Sequence, residues 1–234
     1  MKKSFSLILT CVTLFLIQGQ AQTADEIINK HYEARGGIEK LRALQSMIMQ
    51  GTMVQVSGNA EMKYYFVQGK AMKMEFTSAG QSGYNIITEK GNWMYNPSMP
   101  YTYEVEYTED QLKDVQSNLD FQGPLVDYKS KGNTVEYLGK ENSQGLEYYK
   151  LKLTRANGKK ETYYLDKNYL IAKLVSTTLV QEIEKEVTTE YSDYRKTPEG
   201  YVISFKVVDR GLVTSFNKVE INPKIDESVF KPSN

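Results

Sequence analysis

The chain is poor in the residues that most often carry chemistry. Among 234 residues there is one cysteine and one histidine. A single Cys excludes an internal disulfide and a cysteine-cluster metal site, and a single His removes most zinc sites and Ser-His-Asp arrangements. Lys plus Arg (29) balances Asp plus Glu (29). With no excess of either sign the chain has no field to hold a polyanion, so no nucleic-acid partner is expected. No apolar run reaches the roughly 20 residues of a membrane-spanning helix. There is no glycine-rich phosphate loop, HExxH or CxxC, and Gly80-Gln81-Ser82-Gly83 misses the nucleophile-elbow spacing because its second glycine comes one residue early. The expectation is therefore no catalytic residue, no metal, no cofactor and no enzyme activity.

What is present begins with a basic start, Lys2-Lys3, an apolar stretch from Phe5 to Ile17, and small residues at Gly19 and Ala21. This is the form of a cleaved secretory signal over residues 1–21. A lipoprotein signal ending at Cys11 is disfavoured, because Thr10 stands where Gly, Ala or Ser is needed and apolar residues continue beyond the cysteine. The mature chain, residues 22–234, then has no thiol and is expected to be one exported, monomeric domain without a lipid anchor. Thr23, followed by Asp25 and Glu26, predicts a capped helix closed by Gly36-Gly37, with Ile27, Ile28, His31 and Tyr32 on its apolar face. Ile38 to Leu44 predicts a second, short helix, and Thr108-Glu109-Asp110-Gln111 with Leu112, Val115 and Leu119 a third.

Between Met47 and Phe76 apolar residues alternate: Met47, Met49 and Met53, then Met62, Tyr64 and Phe66, then Met72, Met74 and Phe76. Period two places each set on one face of a sheet. Strand chemistry continues to Tyr107, and after Asn133 it runs to the end. Asn157-Gly158 marks a hairpin, and Tyr201, Ile203, Phe205 and Val207 alternate. Roughly ten to eleven strands follow from this spacing. The fold class is α+β, mainly β: a single strongly curved antiparallel sheet whose concave face the helices cover.

Eight of the nine methionines lie between Met47 and Met99. A thioether-rich face is flexible and polarizable, suited to a cavity for lipid chains of variable shape; the same stripe also suits ordinary core packing. Trp93 and Tyr95 flank the Pro97/Pro100 loop, where they form either a wall of such a cavity or plain loop packing. His31 reads as a core or rim histidine without ligand partners. Carboxylate pairs such as Glu104 with Glu106, or Asp193 with Glu190, lie on alternating charged strands of the kind that face solvent.

The segment from Ile86 to Pro97, with its Trp93-Met94-Tyr95-Asn96-Pro97 strand end, resembles the LolA-like outer-membrane lipoprotein-sorting proteins. Tyr163-Tyr164-Leu165-Asp166, Tyr191-Ser192-Asp193-Tyr194, Gly200-Tyr201 and the ending through Val229-Phe230-Lys231-Pro232 are similar to the same family, as is the opening Ala24-Asp25-Glu26-Ile27-Ile28 with Arg35-Gly36-Gly37. The resemblance spans nearly the whole mature chain. It implies a half-open β-barrel of about eleven strands and a lid of helices (Ile27, Ile28 and Tyr32 from the first; Leu112, Val115 and Leu119 from the third). It also implies a periplasmic carrier sheltering acyl chains of lipoproteins or lipids for delivery toward the outer membrane, with a membrane-bound donor or acceptor. A sensor or regulatory module of the same fold, binding lipid and a protein partner, is the alternative. Where such carriers commonly present a cavity-facing Arg, this chain offers Gln68, Lys70 and Lys73.

Overall fold

The computed structural model describes residues 22–55, 58–97, 102–105, 119–180 and 183–232. The proposed signal, residues 1–21, and most of the expected third helix lie outside them. Two α-helices open the described chain, α1 (Ala24–Ala34) and α2 (Ile38–Ala43). Strands follow: β1 (Ser46–Gln55), β2 (Gly58–Val67), β3 (Ala71–Ser78), β4 (Gln81–Thr88), β5 (Asn92–Tyr95) and β6 (Thr102–Val105). After residues 119–133, which run in turns, come β7 (Thr134–Ser143), β8 (Leu146–Thr154), β9 (Lys160–Leu165), β10 (Ile171–Val180), β11 (Ile183–Lys196), β12 (Val202–Asp209) and β13 (Leu212–Ile221). A 3-10 turn, Glu227–Phe230, is the last described element.

All thirteen strands form one sheet, in the order β6-β5-β4-β3-β2-β1-β13-β12-β11-β10-β9-β8-β7. This exceeds the expected ten to eleven; the strand least visible beforehand is β7, an edge strand with alternating half-buried and exposed positions and a break in register between Tyr137 and Lys140. The sheet consists of two antiparallel meanders joined through the β1–β13 pairing, and its end strands β6 and β7 do not pair with each other, so it stays open.

That joint is strongly specified. Gln45 N and Ser46 N both donate to Asn222 Oδ1 (2.7 and 3.2 Å), and Asn222 Nδ2 donates to Ala43 O (2.9 Å). The register shifts between Gln50 and Gly51, where β13 carries one extra residue, Asn217. A Cβ at Gly51 would stand 2.2 Å from Ser215 O, so only glycine admits this bulge.

The α1 signals act as expected. Thr23 Oγ1 accepts from Glu26 N and Glu26 Oε2 accepts from Thr23 N, a reciprocal capping box. Gly37 N returns to Tyr32 O at 2.7 Å, ending the helix. Ile27 and Ile28, essentially without exposure, pack on Leu151, Leu153, Tyr163 and Leu165 of β8 and β9, together with Leu125 and Tyr128. A second cluster lies at the other meander, where Phe230, with Ile225 and Val229, covers Ala71, Tyr84 and Ile86.

Candidate ligand-binding face

Cross-strand partners in an antiparallel sheet share a face, so the pairing decides which predicted residues meet. Three rows cross β13, β1, β2, β3 and β4. The first is Ile221, Met47, Phe66, Met72 and Ile87; the second Val219, Met49, Tyr64, Met74 and Asn85; the third Phe216, Gly51, Met62, Phe76 and Gly83. Met53, opposite Ala60 and Thr214, begins a fourth. All nine strand residues expected from the alternation between Met47 and Phe76 therefore lie on one face.

The same face continues to the far edge. Thr214 pairs with Val207, Val207 with Tyr191, Thr189 with Leu174, Leu174 with Tyr163, and Tyr163 with Leu151. One sheet face thus carries both the methionine rows and the platform under α1. The two halves differ in how they are covered. Under α1, Leu151, Leu153 and Leu165 are wholly buried. On the methionine side, Met47, Met49 and Met62 are buried, while Met53, Tyr64, Phe66, Met72, Met74 and Phe76 remain half-buried.

Trp93 and Tyr95 do not join them. Ile87 pairs with Asn92 and Ile86 with Trp93, so Asn92 and Met94 continue the methionine rows while Trp93 and Tyr95 project from the opposite face. There they pack against the cluster around Ile86 and Phe230. Lys73 lies on that opposite side too, buried, bridging Glu75 at 2.8 Å and placed over the Tyr84 ring.

Of the expected lid residues, Ile27 and Ile28 cover the β8–β9 half rather than the methionine rows, and Tyr32 Oη donates to Leu125 O. Leu112 and Val115 lie outside the described residues. Leu119 is buried, in a turn that begins a well-anchored segment. Gly69 N donates to Leu119 O (3.1 Å), Gln68 Nε2 to Asp120 Oδ1 (2.7 Å), and Gln122 Nε2 to Leu44 O (2.9 Å). Lys131 pairs with Asp120 at 2.6 Å, and Arg35 Nη1 donates to Gln122 O at 3.0 Å. Loss of solvation holds the Arg35 guanidinium below its ordinary pKa, partly opposed by Tyr194 and Asp120. The segment brings Phe121 onto the rows, its ring 5.5 Å from that of Phe66, which stacks on Tyr64 at 6.0 Å. Phe121, Phe216, Arg35, Asn85 and Asn92 were not singled out by alternation, since three lie in other segments and the two Asn are polar residues in apolar rows.

His31 is buried, with Nδ1 2.7 Å from Tyr169 O, so Nδ1 carries the proton and donates. Burial, reinforced by the Arg35 charge and opposed by that hydrogen bond, lowers its pKa to about 3. A neutral imidazole bound to a backbone carbonyl is a packing element here. Two pockets of about 410 Å³ are present: one among Tyr32, Arg42 and Asp127, apart from the rows, the other lined mostly by polar residues such as Gln50, Glu61, Lys63 and Glu75 and reaching the third row at Gly51, Met62 and Phe76.

No family model and no curated protein sequence matches the chain. Solved structures do. A LolA superfamily protein from Nitrosomonas europaea matches with a TM-score of 0.54 at 13% identity, over 91% of this chain and 99% of that one. A DUF1329 family protein from Desulfovibrio piger gives 0.55 at 13% identity, over 87% and 97%. A candidate outer membrane lipoprotein-sorting protein domain from Vibrio parahaemolyticus gives 0.51 at 13% identity, over 88% and 94%. At such identity the likeness is one of fold.

Proposed function

We propose, from a fold shared with LolA superfamily proteins, that this protein is a periplasmic, non-enzymatic binding protein or carrier that shelters acyl chains of lipids or lipoproteins against its methionine rows. The open sheet acts as a half-barrel, with α1 and the segment around Phe121 over its concave face. The observation that carries the reading is the asymmetry of that face. One half is closed by α1 to full burial, while the other presents Met53, Tyr64, Phe66, Met72, Met74 and Phe76 only half-buried. Unbranched thioether side chains repack around chains of different length at small cost, which a fixed Leu/Ile core does not.

The energetics favour such a shelter. An acyl chain of about 15 methylenes costs roughly 12 kcal/mol to expose to water, at about 0.8 kcal/mol per CH₂. The same figure opposes release into water, so cargo passes directly to a membrane or to another apolar acceptor. Mature protein isolated from a periplasmic expression should carry adducts of lipid mass in native mass spectra, and should take up a fluorescent acyl probe. Met74→Glu, at a half-buried position, should abolish both while leaving the circular dichroism spectrum unchanged. A wild-type mass that stays bare after incubation with phospholipid and acylated peptide would overturn the proposal and turn attention to a protein partner.

A further inference from the structure

On β4 and β5 the methionine rows are interrupted by two carboxamides, before Met94 and Val105 carry them on. Asn85 continues the row of Met49, Tyr64 and Met74; Asn92 continues the row of Met47, Phe66, Met72 and Ile87. Because Ile87 is the direct partner of Asn92, Asn85 is its diagonal neighbour on the same face, a relation that places side chains about 7–8 Å apart. Both side-chain oxygens are buried, and they are the two buried side-chain polar atoms without a hydrogen-bond partner among the described residues.

That pairing is costly for the protein alone. Asn is disfavoured in strands, and a buried acceptor left unmade forfeits its hydration without compensation, whereas an apolar side chain of similar shape would suit the row. Native proteins satisfy nearly all such groups. Two orphan acceptors, diagonal neighbours within an otherwise apolar face near the β6 edge of the sheet, are matched by a ligand that brings the donors.

We infer that Asn85 and Asn92 accept hydrogen bonds from the polar end of the bound chain, and that the ligand is an acyl group carrying a donor near its carboxyl end: an amide-linked or hydroxylated chain rather than a plain ester. This rests on the acyl-binding reading above and narrows it. The apolar rows hold the methylenes of either kind of chain equally, whereas an ester presents only acceptors to the two oxygens. An amide N–H or a 3-hydroxyl satisfies at least one of them.

The test uses near-isosteric probes supplied from cyclodextrin, N-methylpalmitamide and methyl palmitate, which differ by N–H against O, with methyl 3-hydroxypalmitate as a third. Each displaces a fluorescent acyl probe from the wild-type mature protein. The amide, or the hydroxy ester, should bind about tenfold tighter than the plain ester, the gain of a buried acceptor satisfied; which of the two is preferred separates an N-acyl source from a hydroxylated one. Asn85→Leu with Asn92→Leu should erase the preference while ester binding is kept, and should raise the denaturation midpoint of the unliganded protein. Equal affinity for all three probes in the wild type overturns this inference and leaves acyl binding standing, and so does a preference that survives in the double variant. No displacement by any probe overturns the acyl-binding reading and this inference with it.

Discussion

At the residue scale, His31 and the aromatic pair Trp93 and Tyr95 illustrate opposite outcomes. The position of His31 on the apolar face of a helix pointed to packing, and it is found buried with Nδ1 donating to Tyr169 O. Its titration has a measurable consequence. The imidazole has an ordinary value of 6.5 and a folded value of about 3, so between those limits only the unfolded chain takes the proton. Stability is then expected to fall as the pH drops below about 6.5, by about 1.4 kcal/mol per unit. Urea denaturation at pH 7 and pH 5 should register a loss of about 2 kcal/mol from this group, and His31→Asn, which keeps a donor for the carbonyl but does not titrate, should flatten the slope. Identical slopes in the two proteins would remove His31 as its origin. Trp93 and Tyr95 flank a proline loop, which suits either a cavity wall beside the methionines or plain loop packing, but in a strand the decisive variable is parity. The turn Thr88 to Gly91, held by Gly91 O accepting from Thr88 N at 2.9 Å, fixes a register that puts both aromatics on the far face.

At the element scale, legibility followed periodicity. The Thr23 cap of α1 and the alternation from Met47 to Phe76 are local patterns, and the structure reproduces both. Strand β7 was hard to see because an edge strand buries little: Leu138 is exposed, and Gly139, with φ +93, interrupts the alternation. Nor was the half of the sheet under α1 legible, since a helix pattern gives its apolar stripe without naming the strands that receive it. Helix α1 also permits a comparison of local and tertiary contributions. Thr23→Ala removes one cap and should cost about 1 kcal/mol. Ile27→Ala leaves a void under a fully buried side chain and should cost about 2–5 kcal/mol. Denaturant midpoints for the two variants should show that packing, more than capping, holds the helix on the sheet.

At the scale of the whole molecule, neither half of the chain is self-sufficient. Helix α1 belongs to the first half in sequence, yet Ile27 and Ile28 complete the core of the second meander. Residues 119–234 alone should therefore expose Leu151, Leu153 and Leu165 and aggregate, whereas co-expression with residues 22–105 should recover a soluble, co-purifying complex. A soluble, cooperatively unfolding 119–234 fragment by itself would contradict this. The β1–β13 joint has a further consequence, in time. The last of the described strands in chain order, β13, occupies the middle of the sheet, with Ile221 beside Met47. While the ribosome emits the chain, β1 keeps one bare edge until β13 has emerged, and the pairing that unites the meanders waits for that strand. Contacts so distant along the chain form slowly. A chain stopped short of β13 would lose the seam rather than a margin, so whether the two meanders become one sheet is decided only once β13 has been made.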